Sequence, residues 1–244
     1  MRNLLITISY NGAYFHGFQV QKNAVTVMEA LTKAVEKVFC QRLDLKCCSR
    51  TDTGVHAEKY CFSIKTESAI PCRNVVNALN VNLPDAIAVH SCTEVGLDFH
   101  ARYSCKGKRY EYRILNSEIK NPFLIDMVFQ YRFKIDEQQL NAAAQSFVGT
   151  HDFAAFCSKG SDVEDTIRTI YDFTVRREGE MVIFSVAGNG FLYNMVRIFV
   201  GTLLGVAQGR IKADSIPDII LSKNRKRAGV TAPPQGLYLV DVFY

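Results

Sequence analysis

No two of the eight cysteines form a Cys-x-x-Cys pair. Cys40, Cys47, Cys48, Cys61, Cys72, Cys92, Cys105 and Cys157 lie at irregular spacings, which argues against a zinc ribbon or finger, so no metal is expected. A chain of 244 residues builds a core large enough to do without a disulfide framework. Nothing resembles a signal segment, because Leu4-Leu5-Ile6-Thr7-Ile8 is too short and runs straight into a polar turn. A reduced, cytoplasmic protein is expected. The apolar stretch from Phe191 to Ala207 is short for a membrane span, carries Asn194 and Arg197, and has glycines at 201 and 205. It reads as a helix buried in a core. Low-complexity segments and flexible linkers are also absent. Neither charge dominates: 29 Lys and Arg against 24 Asp and Glu give +5, too little to mark a nucleic-acid binder without help from distribution.

The pattern that is present alternates strands with helices. Asn3 to Ser9 predicts a strand and Thr26 to Val38 a helix, with Val27, Leu31, Val35 and Val38 on one face and Thr26 and Glu29 at capping-box spacing. Leu43 to Cys48 and Val55 to Ile64 predict two strands around a polar loop. A short helix opened by Pro71 and a strand from Ala86 to Ser91 follow. The second half predicts a strand at Val128 to Phe133 and a helix from Asp136 to Val148 closed by Gly149. A hairpin of Thr169 to Arg177 with Met181 to Ala187, the Arg197 helix and a last strand at Leu237 to Phe243 complete it. The expected fold is α+β: two ferredoxin-like, RRM-like βαββαβ units sharing an extended, mainly antiparallel sheet with helices on one face. Domain 1–104 would carry the polar loop, and domain 105–244 the later candidates.

Three places carry chemistry. Asp52 is the only carboxylate in the loop Ser49-Arg50-Thr51-Asp52-Thr53-Gly54-Val55-His56-Ala57; its neighbours fit a plain turn as well as a site. A guanidinium at Arg197 is costly inside an apolar helix unless it reaches the surface or meets a carboxylate. Five cations from Arg102 to Arg113 interleave with Tyr103, Tyr110 and Tyr112, and Lys223 to Arg227 adds four more. Cations neutralise phosphates and aromatic faces stack on unpaired bases, although a solvated strand edge has the same composition. Tyr110 and Tyr112 alternate along one strand and so face one side.

The loop Ser49–Ala57 closely resembles the active-site signature of the TruA family of tRNA pseudouridine synthases: a glycine or small residue, then Arg-Thr-Asp-Ala-Gly-Val-His-Ala. It departs at Ser49 and Thr53, and Arg50, Asp52, Gly54 and His56 are in place. Further blocks follow in the family's order: Tyr10 to Gln21, Phe99 to Arg102, Lys108 to Tyr112, Gly149 to Phe153, Gly190 to Arg197 and Thr231 to Tyr238. The resemblance implies an isomerase converting uridine to pseudouridine at tRNA positions 38–40 in the anticodon stem-loop. It also implies a homodimer with each tRNA touching both subunits. Asp52 would be the nucleophile, Arg197 the helix arginine that contacts it, and Tyr110 the tyrosine stacked on the target uracil.

Chemistry agrees with those roles. The product is an isomer of the substrate, so no cofactor is expected, and a carboxylate that adds and then leaves splits one hard step into easier ones. Arg50 and Arg197 would keep Asp52 ionised and aimed. The sequence leaves open whether Asp52 attacks the base or the ribose. A non-catalytic RNA-binding protein would explain the basic and aromatic stripe but not Asp52 or Arg197. A glycoside hydrolase would usually need a second carboxylate as acid, and the signature loop holds none besides Asp52.

Overall fold

The computed structural model describes residues 1–160 and 164–244. The chain is α+β and forms two compact units, one of Met1–Lys106 with Tyr238–Tyr244 and one of Gly107–Leu237.

The first unit contains strands β1 (Arg2–Tyr10), β2 (Lys46–Cys47), β3 (His56–Thr66) and β4 (Ile87–Val95), with helices α1 (Val27–Phe39) and α2 (Cys72–Asn82). β1 lies antiparallel between β3 and β4, with Ile6 opposite both Phe62 and Cys92. Leu4, Ile6 and Ile8 are buried while Leu5 and Thr7 are less so, the period of two expected where one face is more deeply covered. Thr26 caps α1 as its spacing predicts, its hydroxyl accepting from the Glu29 amide at 3.3 Å, an interaction worth about 1 kcal/mol. The strand expected over Leu43 to Cys48 is shorter than its pattern. Leu43 and Leu45 are buried, but only Lys46 and Cys47 find a ladder partner, at Ser63 and Phe62. The last strand, β10 (Leu237–Phe243), follows the second half in sequence yet runs parallel to β3, Tyr238 opposite His56 and Leu239 opposite Ala57. That placement departs from the expected repeat, and it puts the Thr231–Tyr238 block at a chain crossing.

The second unit opens on β5 (Gly107–Leu115), a nine-residue strand that carries both Tyr110 and Tyr112. β5 pairs antiparallel with β9 (Met181–Gly188), which pairs with β8 (Ile167–Glu178), which in turn pairs with β7 (Gly149–Asp152). The expected strand at Val128 to Phe133 contracts to β6 (Phe129–Gln130), parallel to the end of β5. The β8–β9 hairpin turns at Gly179 and Glu180, with Gly179 at φ +60 supplying the left-handed residue such a turn needs. Helix α3 (Glu137–Ala144) is capped by Asp136, whose carboxylate accepts from the amides of Gln138 and Gln139. A 3-10 turn at Gln145–Phe147 continues it. α4 (Met195–Ala207) is the apolar helix, starting four residues later than its composition suggests, and α5 (Ile216–Ser222) was not anticipated. Phe199 of α4 is the hub of the core, with ring centroids 4.3 Å from Phe147, 5.1 Å from Phe156 and 5.3 Å from Phe153. Emptying such a site costs about 3–5 kcal/mol.

No helix among the described residues is long and apolar enough to cross a membrane. None of the eight cysteines is in a disulfide. Burial pushes the Cys47 thiol up to about 12, as befits a packed hydrophobe rather than a nucleophile.

Candidate active site

The signature loop is held on both sides of Asp52. Upstream, the buried Thr51 hydroxyl meets the Tyr10 hydroxyl at 2.7 Å, and its carbonyl accepts from the Phe18 amide at 3.0 Å. The Tyr60 hydroxyl donates to the Ser49 carbonyl at 2.5 Å, and its ring stacks on Phe18 at 4.7 Å. Downstream, the Val55 amide donates to the Asp52 carbonyl at 3.1 Å, closing a four-residue turn with Gly54 at φ +78 in its third position. The polypeptide from Tyr10 to Phe18 lies directly against this turn. A Cβ on Gly12 would sit 2.0 Å from the Val55 carbonyl oxygen, and one on Gly17 (φ +82) would sit 3.1 Å from that of Thr51. Gly12 is therefore required by close backbone approach and Gly17 by its left-handed backbone in a tight contact, which ties the opening block to the signature loop.

Within the loop Asp52 is half-buried and Arg50 is exposed. Arg50 forms no ion pair among the described residues. His56 ends the loop as the first residue of β3. Its Nδ1 accepts from the Gly12 amide at 3.1 Å, and its ring stacks on Tyr238 at 4.5 Å.

Tyr110 and Arg197 belong to the second unit. Tyr110 is buried on β5, opposite Val186, with its ring edge-on to Phe191 at 5.1 Å. Two residues on, Tyr112 donates its hydroxyl to the Pro233 carbonyl at 2.6 Å. Both tyrosines are buried, as one face of a strand requires. Burial raises the Tyr112 pKa, and the nearby Arg197 charge works in the opposite direction.

Arg197 is the third residue of α4, where the helix dipole disfavours a cation by a few tenths to about 1 kcal/mol. Helix stability does not account for a guanidinium there. Nε donates to the Ala232 carbonyl at 2.7 Å, and Nη1 donates to Asn194 Oδ1 at the same distance. Asn194 takes a left-handed backbone at φ 62 and holds Ser158 through its amide nitrogen. The Phe191–Asn194 turn thus contacts both candidates, Phe191 against Tyr110 and Asn194 against Arg197.

The 229–232 segment reaches α4 through glycines. A Cβ on Gly201 would lie 1.8 Å from the Val230 carbonyl oxygen, and one on Gly229 would lie 2.5 Å from the Gly201 carbonyl carbon. Arg225 braces this segment, donating to the Gly229 carbonyl at 2.7 Å and to the Thr231 hydroxyl at 3.1 Å. The sequence named Asn194 only as a polar residue in the apolar stretch, Arg225 only within the Lys223–Arg227 basic run and Ala232 only within the Thr231–Tyr238 block, and gave none of them a part in the site.

The basic stripe divides on inspection. Arg109 pairs with Asp172 at 2.7 Å, Arg113 with Glu111 at 2.9 Å, and Lys223 with Asp152 at 2.8 Å. These cations are engaged within the protein; Arg102 and Lys226 are exposed.

A polar loop that fixes one carboxylate on both sides, in an α+β chain carrying a helix-borne arginine and a strand tyrosine, fits an enzyme of the pseudouridine synthase class. The family model described as tRNA pseudouridine synthase matches residues 6–104 and 143–244. The chain is 48% identical over 244 residues to tRNA pseudouridine synthase A of Acetivibrio thermocellus, covering 100% of both chains. It is 47% identical to the protein of the same name from Thermoanaerobacter sp. (strain X514) and 44% identical to that of Ruminiclostridium cellulolyticum, again over 100% of each chain. The chain belongs to the tRNA pseudouridine synthase family. It is an isomerase that forms pseudouridine in tRNA.

Proposed function

We propose that Asp52 is the nucleophile of this isomerisation, and that the target uridines lie at tRNA positions 38–40 in the anticodon stem-loop. The observation that carries the first part is the double anchoring of Asp52, by Thr51 on one side and by the turn to Val55 on the other. Misplacing a reacting group by an ångström can cost about 10²-fold in rate, so a loop fixed on both sides of the carboxylate suits a nucleophile.

The chemistry is balanced within the nucleoside. The bond from C1′ to N1 breaks, a bond from C1′ to C5 forms, C5 gives up its proton and N1 gains one. Asp52 adds covalently and is expelled at the end, so enzyme and atoms are restored. Arg197, and the loop cation Arg50, favour the ionised carboxylate. Tyr110 supplies a ring against which the extruded base stacks, and a hydroxyl able to take the C5 proton. Resemblance to the family supports the target positions, a cytoplasmic homodimer, and contact of each tRNA with both subunits.

The test uses unmodified tRNA and maps pseudouridine by carbodiimide adducts and primer extension. Asp52→Asn keeps the shape of the loop, binds tRNA and makes no product. Wild-type turnover by this variant removes the assignment, and stops outside positions 38–40 remove the proposed target. Light scattering that gives one chain mass for fully active enzyme removes the dimer.

A further inference from the structure

We infer that His56 is a positioning residue for Asp52, acting through its Nδ1 as the hydrogen-bond acceptor that ties the Gly12 turn to the end of the signature loop. The inference rests on the reading of Asp52 as nucleophile. His56 is buried, and its Nδ1 takes the Gly12 amide proton at 3.1 Å. A nitrogen that accepts carries no proton, so the ring is neutral with its proton on Nε2. The ring's flat contact with Tyr238, 4.5 Å and 18° between planes, fixes its orientation. A buried imidazole with a defined tautomer holds a backbone amide as a carbonyl would, with the added stiffness of a packed ring.

The consequence falls on Asp52 through two short backbone links. Gly12 lies so close to the Val55 carbonyl that no side chain fits between them, and the Val55 amide closes the turn on Asp52. On the other side Tyr10, two residues before Gly12, holds Thr51, one residue before Asp52. The segment from Tyr10 to Gly12 therefore grips the loop at both ends, and His56 is the side chain that fixes its far end. Without the acceptor, the Gly12 amide is buried and unsatisfied, the segment shifts to satisfy it, and the carboxylate shifts with the turn. Displacements of this size cost about 10²-fold in rate when a reacting group is moved by an ångström. RNA affinity is spread over many phosphate contacts and is not expected to follow.

Three variants separate the acceptor from the packing. His56→Phe keeps a ring on Tyr238 and loses the acceptor. His56→Asn loses the ring but places Oδ1 where Nδ1 was. His56→Gln places its oxygen nearer the position of Nε2. Single-turnover pseudouridine formation and tRNA binding at fixed salt are measured on the full chain, beside Asp52→Asn. The expected result is binding within about threefold of wild type for all, a loss near 10²-fold for His56→Phe and His56→Gln, and recovery to within about tenfold of wild type for His56→Asn. Wild-type turnover by His56→Phe overturns the inference, and so does His56→Asn as slow as His56→Gln. If His56→Phe does not fold, the Asn and Gln pair decides alone. Wild-type turnover by Asp52→Asn removes the nucleophile reading itself, whereas inactive Asp52→Asn beside fully active His56→Phe removes only the role of His56.

Discussion

The guanidinium of Arg197 donates from Nε to the carbonyl of Ala232 at 2.7 Å, while the Ala232 amide donates back to the Arg197 carbonyl at 3.1 Å. This reciprocal pair ties the first turn of α4 to the segment leading into β10 and fixes the plane of the guanidinium. Lysine keeps the charge but has neither Nε nor the planar fork. Arg197→Lys is therefore expected to lower single-turnover pseudouridine formation by about 10²-fold. Its tRNA affinity, measured across several salt concentrations, stays within about threefold of wild type. A weakened affinity with a shallower salt slope and unchanged turnover would show Arg197 to be a phosphate contact instead.

Tyr110 and Tyr112 share one face of β5 and should separate cleanly when each loses its hydroxyl. Tyr112→Phe leaves the Pro233 carbonyl without its 2.6 Å partner and is expected to cost about 1–3 kcal/mol of stability, with turnover per folded molecule preserved. Tyr110→Phe keeps the ring against Phe191 and loses the proposed proton acceptor, so turnover falls by about 10²–10⁴-fold. Urea melts and single-turnover assays on both variants check the pair. A Tyr110→Phe enzyme at full rate excludes the acceptor role.

Gly201→Ala places a methyl 1.8 Å from the Val230 carbonyl oxygen, where backbone stands on both sides and no flexible side chain can yield. The expected loss is about 3 kcal/mol or an insoluble protein. Gly96→Ala meets nothing within 4 Å and serves as the neutral control. Equal denaturation midpoints for the two variants would contradict the close approach of the 229–232 segment to α4.

Glu111 sets an acid limit on stability. Burial alone would raise its pKa, but hydrogen bonds and charge from Arg113 and Arg176 outweigh burial and hold the carboxyl below the ordinary glutamate value. The folded state therefore binds fewer protons than the unfolded chain near pH 4. The stabilisation is complete above the unfolded pKa of about 4.3 and is lost as pH falls through the lower folded value. Glu111→Gln should flatten the decline in stability between about pH 5 and pH 3, read from urea midpoints at each pH. An unchanged slope would mean that the arginine cluster does not favour the ionised form.

The sequence by itself determined the local elements and the candidates. Apolar period marked β1, α1, β3, β8 and β9 because side-chain alternation is a property of the backbone. The Thr26 cap was legible because a cap is built within four residues. Asp52, Arg50, Tyr110 and Arg197 stood out from their blocks; the family match across 6–104 and 143–244 spans the blocks of Asp52, Arg50 and Arg197, and the Tyr110 block lies outside it. What only the tertiary structure decided involves partners distant in sequence. β10 lies beside β3, 182 positions from Tyr238 back to His56, and no local pattern carries that pairing. The segments at Leu43–Cys48 and Val128–Phe133 have strand-like composition, but a ladder needs a neighbour, and only two residues of each find one. Likewise, Arg109 and Arg113 read as RNA-facing cations until the structure brought Asp172 alongside Arg109 and set Glu111 against Arg113. The requirement for glycine at 12 and 201 comes from backbone 43 and 29 residues away, at Val55 and Val230. Charge, period and capping are local energies and can be read in order along the chain; close approach and ion pairing depend on which surfaces the fold brings together.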